Sequence, residues 1–214
     1  MLLGLVGFQS AGKGTAGGVL ASEYEFRQQE FAGPLKDAVA IIFNWPRHLL
    51  SGDTEESRIF REKVDEDWSR RLGYPVTPRN MLQKMGTEAG RNVFGADLWV
   101  QSLDSRIDMA ANNVITDVRF PNEMRWIRSK GGYIVRIMRG PDPVWYDTAW
   151  EYNASIRPET AIIYDEKDNE VHYSEWAWIG HSLDYVIHNT SSFQELKNNI
   201  GHMVRIFTGP PRNE

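Results

Sequence analysis

The chain has 214 residues, 41 % of them hydrophobic and 25 % charged, enough for one globular domain with a proper core. Its net charge of −5 gives no sign of general nucleic-acid binding, although a local basic cleft stays open. There is no cysteine, which excludes disulfides and thiolate metal sites. No apolar run approaches the roughly 18 residues of a membrane span, and the short N-terminal run lacks the basic lead-in of a signal peptide, so the expected location is the cytoplasm, with no membrane partner.

Residues 2–8 read as a first strand, and Lys13 to Tyr24 as the helix after it. Between them lies Gly7 to Thr15, G-F-Q-S-A-G-K-G-T, the strand, glycine-rich loop and helix order of a P-loop. Gly7 and Gly12 let the backbone turn tightly, so that consecutive N–H groups of Ala11, Gly12, Lys13, Gly14 and Thr15 can face a phosphate chain. Lys13 adds a point charge, and the helix start adds its dipole. The loop departs from G-x-x-x-x-G-K-[ST]: residue 14 is glycine and the hydroxyl comes at Thr15. The ordinary alternative is a glycine-rich turn with an incidental lysine.

A second strand is expected at 26–31, then a helix opened by Pro34 and carrying Lys36 in its first turn. Residues 51–72 are strongly charged with a narrow stripe of Ile59, Phe60, Val64 and Trp68, which reads as one peripheral helix. Thr77 and Pro78 open the next helix, which Gly95 stops, and 97–109 is a further helix. Residues 114–118 form a β-branched run expected to be a buried parallel strand. A helix at 121–130 and a strand at 133–138 follow. Residues 140–182 are irregular and hold Trp145, Trp150, Trp176 and Trp178; a small hairpin is expected at 160–164 and 170–173. A last strand, 183–188, and a helix, 193–207, precede a tail expected to fray. Alternating strands and helices predict a doubly wound, mostly parallel sheet flanked by helices.

Asp117 falls at the end of a buried strand, where open α/β sheets bind ligands. Near a P-loop it has the place of a carboxylate that holds Mg²⁺ beside the Thr15 hydroxyl; the alternative is a helix cap. Arg119 suits a phosphate or a base edge, or else pairs with Glu123 on the surface. Arg79, Gln83 and Thr87 are four apart, with Arg91 continuing their helix face. Such a face is either solvated or built to grip a second phosphate together with Lys36. Trp99 could stack on a base or fill the core, the commoner fate. The aromatics of 145–178 could form a lid core or a stacking wall.

Five blocks together resemble the deoxynucleoside monophosphate kinases of tailed bacteriophages. They are the P-loop, whose G-K-G-T wording is that of adenylate-kinase-like enzymes; A-G-P-L-K-D-A at 32–38; R-N-M-L-Q-K-M-G-T-E-A-G-R-N-V-F-G-A-D-L-W-V at 79–100; I-T-D-V-R-F-P-N-E-M at 115–124 with V-R-I-M-R-G at 135–140; and, more weakly, H-Y-S-E at 172–175 with D-Y-V-I-H-N-T-S-S at 184–192. The resemblance implies a P-loop kinase fold in one domain, with a core of about 1–43, 79–139 and 183–207, a helical acceptor-side insertion at 44–78 and an aromatic-rich lid at 140–182. It implies transfer of the ATP γ-phosphate to a deoxynucleoside monophosphate, with Mg²⁺. Lys36, Arg79, Gln83, Gly86, Thr87, Arg91, Asp97, Trp99, Asp117, Arg119, Glu123 and Glu175 would then serve the acceptor site. Arg139 would face the phosphates, and Asn189 and Thr190 would lie near the adenine. Many relatives are described as dimers, so a homodimer stays open. Residue 14 is Gly where some members carry Asp, and 44–78 has no clear match. Two rival readings are another small-molecule P-loop kinase, such as a dephospho-coenzyme A kinase, and a nucleotide sensor without catalysis.

Overall fold

The structure, a computed structural model, describes residues 1–155 and 160–209. Its elements run β1 (Leu2–Val6), α1 (Lys13–Tyr24), β2 (Arg27–Gln29), α2 (Gly33–Phe43), α3 (Glu55–Glu62), α4 (Glu66–Leu72), α5 (Pro78–Gln83), α6 (Asn92–Phe94) and α7 (Leu98–Asp104). They continue with β3 (Asn113–Ile115), α8 (Pro121–Ser129), β4 (Tyr133–Met138), α9 (Tyr146–Asn153), β5 (Ile163–Tyr164), β6 (Glu170–Val171), β7 (Tyr185–His188) and α10 (Phe193–Thr208). The chain groups into two compact units, Met1–Gln29 with Asp108–Glu214, and Glu30–Ile107. Residues 30–43 and 79–107 thus group with 44–78 and not with the sheet, a wider second unit than the expected insertion.

In the first unit, β2, β3, β1, β4 and β7 pair in that order, every neighbour parallel. β1 is central because all five of its residues are apolar or glycine and can be covered on both faces. Leu3 and Leu5 face a core with Val19 and Leu20 of α1 and with Leu196, Ile200 and Met203 of α10. Gly4 faces the other side, where a Cβ would lie 2.5 Å from Ile127 of α8 and 3.0 Å from Val118. The C-terminal ends of β1 and β3 therefore open onto one edge, at the point where the chain order of the strands reverses. β3 stops at Ile115, short of the expected 118. The chain bends at Thr116, whose methyl lies against Gly17 of α1, and Val118 turns into the core. β1, β2 and β7 are likewise shorter than expected. The antiparallel pair β5–β6 falls within the expected hairpin. The segment expected to be irregular contains α9, whose Asn153 donates to the carbonyls of Trp176 and Ile179 at 2.9 and 2.8 Å. Trp176 and Trp178 are buried there, while Trp150 is exposed. The tail expected to fray is 208–214; Thr208 instead ends α10, and residues 210–214 lie outside the described residues.

The second unit is helical around Leu35, Val39, Phe43, Trp45, Leu50, Val76, Met81 and Leu82. The single charged helix expected over 51–72 is two. Lys63 is extended, and Asp65 restarts the helix by accepting from Trp68 N–H at 2.9 Å while its other oxygen takes the Trp45 indole N–H at 2.7 Å. Burial pushes the Asp65 carboxyl up, but these donors outweigh it and hold it below its usual value. The helix expected to run from 78 to 94 changes hydrogen bonding midway, from α to a π-helical stretch at Lys84–Arg91. The helix expected over 97–109 covers only Leu98–Asp104, and Arg106 donates back to the Ser102 carbonyl at 3.0 Å.

Candidate active site

The phosphate loop leaves β1 through left-handed backbone at Ser10 (φ 61°) and Gly12 (φ 102°). Gly12 is the residue before α1, and among the described residues no side chain caps that helix. The first N–H groups of α1 are therefore available to an anion, with the positive end of the dipole behind them. Gly14 and Thr15 are exposed in this first turn. Lys13 curls back and donates from Nζ to the carbonyls of Gly7 at 2.6 Å and Phe8 at 2.9 Å. Burial, helped by the charge of Arg119, pushes its ammonium down to about 8, against the opposing carboxylates of Glu175 and Asp117. All four charged groups thus act on one small region at the strand ends.

Asp117 follows the bend after β3, and Arg119 comes just before α8. The alternative reading of Arg119, a surface ion pair with Glu123, gives way to a half-buried pair with Glu175. Arg119 donates to Glu175 Oε1 at 2.5 Å and to the Ser174 carbonyl at 3.4 Å, and Glu175 raises its pKa over the opposing effect of burial. Glu123 is 2 % exposed, and its Oε2 accepts from the backbone N–H groups of Arg119 and Phe120 at 2.7 and 3.0 Å. That carboxylate starts α8 and orients Arg119. His172 takes the Ser174 N–H on its Nδ1 at 3.2 Å and so shapes the turn that presents Glu175.

Arg139 is exposed at the end of β4 and lines a cavity of about 340 Å³ with Phe8, Gln9, Ser10 and Ala11 of the loop and with Asp142. Asn189 follows β7, and its Nδ2 donates to the Ala11 carbonyl at 2.9 Å. A side chain at residue 12 would collide with that amide. Asn189 therefore holds the loop, a contact that was not legible in the sequence. Thr190 beside it is exposed.

In the second unit, Lys36 is 8 % exposed in the first turn of α2 and pairs with Glu30 at 2.7 Å. Arg79 pairs with Glu62, and Arg91 donates to the Ala96 carbonyl at 2.7 Å. Arg79 and Gln83 share a face of α5. Thr87 and Arg91 fall in the π-helical stretch, where each turn takes up an extra residue, so the four-apart stacking expected from sequence stops at Gln83. Trp99 packs against the core, and its indole N–H donates to the Gly86 carbonyl at 2.8 Å. A Cβ on Gly90 would lie 2.8 Å from the Trp99 ring, so glycine there admits the tryptophan. Asp97 is exposed at the start of α7.

Sequence reasoning passed over Phe8 and Arg136. The second had a signal: a charge at the buried centre of the strand Y-I-V-R-I-M, where it is 7 % exposed.

The parallel sheet, the phosphate loop at the end of its central strand and the flanking helices define a P-loop kinase α/β fold, the fold of a phosphotransferase. No protein-family model matches the chain. A protein of Acanthamoeba polyphaga mimivirus named as a deoxynucleotide monophosphate kinase is 33 % identical over 153 residues, covering 65 % of this chain and 74 % of that protein. The deoxynucleoside-5′-monophosphate kinase of Escherichia phage T5 is 46 % identical over 55 residues, 25 % of this chain and 22 % of that one. Among solved structures, shikimate kinase from Aquifex aeolicus aligns over 97 % of this chain and 98 % of its own at 15 % identity and a TM-score of 0.45. The chain belongs to the deoxynucleotide monophosphate kinase family and is a nucleotide kinase.

Proposed function

We propose that this protein transfers the γ-phosphate of ATP to deoxynucleoside 5′-monophosphates, giving the diphosphates. The observation that carries the reading is the uncapped start of α1 with Lys13 in its first turn, under the influence of Asp117 and Arg119. Family membership supports the acceptor class.

The acceptor is already an ionised phosphate, so the reaction needs no general base; positioning and charge neutralisation suffice. In this reading the amides from Ala11 to Thr15 cradle the donor phosphates, and Lys13 leaves the Gly7 and Phe8 carbonyls to reach them. The Thr15 hydroxyl and the Asp117 carboxylate are hard oxygen donors of the kind Mg²⁺ takes, and would hold it. When bound, that ion offsets charge on the phosphate oxygens. Arg119, steadied by Glu123 and Glu175, faces charge developing at the strand ends, and Arg139 approaches the donor from β4. Lys36, Arg79, Gln83, Thr87, Arg91 and Asp97 serve the acceptor, with Gly86 and Trp99 fixing the shape of their segment. The 140–182 segment excludes water, which would compete as acceptor.

A coupled ADP-release assay across all deoxynucleoside and ribonucleoside monophosphates tests the reading. Turnover with at least one deoxynucleotide is expected, and Lys13→Ala should lower it by orders of magnitude with the fold retained. No turnover with any monophosphate, or near-wild-type activity in Lys13→Ala, sinks the assignment.

A further inference from the structure

We propose that Arg136 is a positioning residue for the phosphate loop, acting through the side chain of Phe8; this rests on the donor-site reading above. Arg136 lies on β4 and pairs with Asp142. Its guanidinium is 5.7 Å from the ring centre of Phe8, 5.1 Å from that of Tyr146 and 5.2 Å from that of Trp178. It also donates to the Tyr146 hydroxyl at 3.4 Å. Phe8 in turn meets Trp145 edge-on at 5.4 Å and Trp178 at 5.3 Å. The second residue of the loop is thus held in a cage built from residues far along the chain.

The backbone of Phe8 shows what the cage controls. Its carbonyl accepts the Lys13 ammonium at 2.9 Å and the Ala11 N–H at 3.2 Å. Turning the Phe8 peptide would move the rest point of Lys13 and the amides that follow.

One observation separates positioning from mere stabilisation. The Nε of Arg136 is buried and has no hydrogen-bond partner among the described residues. A buried ion pair with an unmet donor is a poor stabiliser, and an apolar side chain of similar volume often does as well. What an apolar or ammonium side chain does not supply is a planar cation that contacts several rings and reaches a carboxylate at once. The geometry, more than the stability, is what arginine provides here.

The test is calorimetric titration of the whole chain, wild type and variants, with two probes in the presence of Mg²⁺: ATP, and inorganic tripolyphosphate, which has no base or sugar. Arg136→Lys, Arg136→Met and Phe8→Ala should weaken both probes about tenfold and by the same factor. The melting temperature of Arg136→Met should stay within about 4 °C of wild type, and KM for the acceptor should be unchanged. Phe8→Ala leaves the buried strand untouched and keeps the test independent of Arg136 folding. Lowered melting temperatures with both affinities intact overturn the proposal, as does a loss confined to ATP, which would place the effect at the base. Wild-type protein that binds neither probe overturns the donor-site reading, and this one with it.

Discussion

Raising the pH past 8 should weaken the capture of ATP before it harms any other property. The free protein holds Lys13 at about 8, well below the ordinary 10.5, because desolvation penalises its charge and Arg119 acts on it, with Glu175 and Asp117 opposing. A lysine that must be protonated and titrates at 8 is half charged at pH 8 and about one-tenth charged at pH 9. Because kcat/KM reports the free enzyme, its value for ATP should be level near neutrality and then fall roughly tenfold per pH unit. The last ionisation of the phosphate groups of both substrates is centred near pH 6, about two units lower, which leaves this window clear. A polyanion bound beside the ammonium favours its charged form, so kcat at saturating ATP should hold to higher pH. Glu175→Gln removes a carboxylate that raises the Lys13 pKa and also frees the charge of Arg119. Both changes have the same sign, so the break in kcat/KM must move to lower pH. The assay is coupled ADP release at constant ionic strength, at subsaturating and at saturating ATP. A flat kcat/KM profile through pH 9.5, or a break that Glu175→Gln leaves in place or moves upward, refutes the reasoning. The same shift has a stability consequence. Between about 8 and 10.5 the unfolded chain binds more protons than the folded one at this group, so its contribution to folding becomes more favourable as pH rises through that window.

Arg91→Ala should raise KM for the acceptor by roughly 10- to 100-fold, the worth of a charged hydrogen bond to phosphate, while KM for ATP stays within about twofold. Equal effects on both substrates in steady-state kinetics would remove Arg91 from the acceptor role. Asp65→Ala should cost about 1–2 kcal/mol in urea unfolding at neutral pH, since it deletes the cap of α4. The folded-state pKa of Asp65 is depressed below 3.8, so its contribution is present above that pH and lost as pH falls through the folded value. The gap between wild type and variant should therefore close in acid, and a gap that persists there would assign the loss to packing.

What was legible in the sequence follows from where the forces are local. The apolar run of β1, the loop glycines and Pro78 after Thr77 each act within a few residues, and the elements they start are where they were expected. The break between α3 and α4 was also local and was passed over: Asp65, followed by Glu66 and Asp67 ahead of Trp68, is a helix start inside a charged run. The π-helical stretch was not legible in this way. Within it the Gly86 carbonyl takes the Trp99 indole N–H and glycine at 90 makes room for the ring, distant contacts for which a four-residue spacing rule has no term. The partner of Arg119 was hidden for the same reason, because Glu175 comes 56 residues later.

The same division between local and distant forces explains why Gly14 does not spoil the phosphate loop. A motif treats the loop as a local object, in which each residue is needed at its own position. Here the shape is held from outside, on two sides. Asn189, after β7, ties the Ala11 carbonyl and fills the space over Gly12. The rings around Arg136 hold Phe8, whose carbonyl supports Ala11 and Lys13. Both anchors act on residues 8–12, upstream of the lysine. Residue 14 lies downstream of them, exposed in the first turn of α1, where it makes none of these contacts. A glycine there leaves the anchored part intact, and the Thr15 hydroxyl one residue later is still in the same helical turn. On the proposed reading the hydroxyl can sit one residue later, whereas Gly12 is not free to become anything larger.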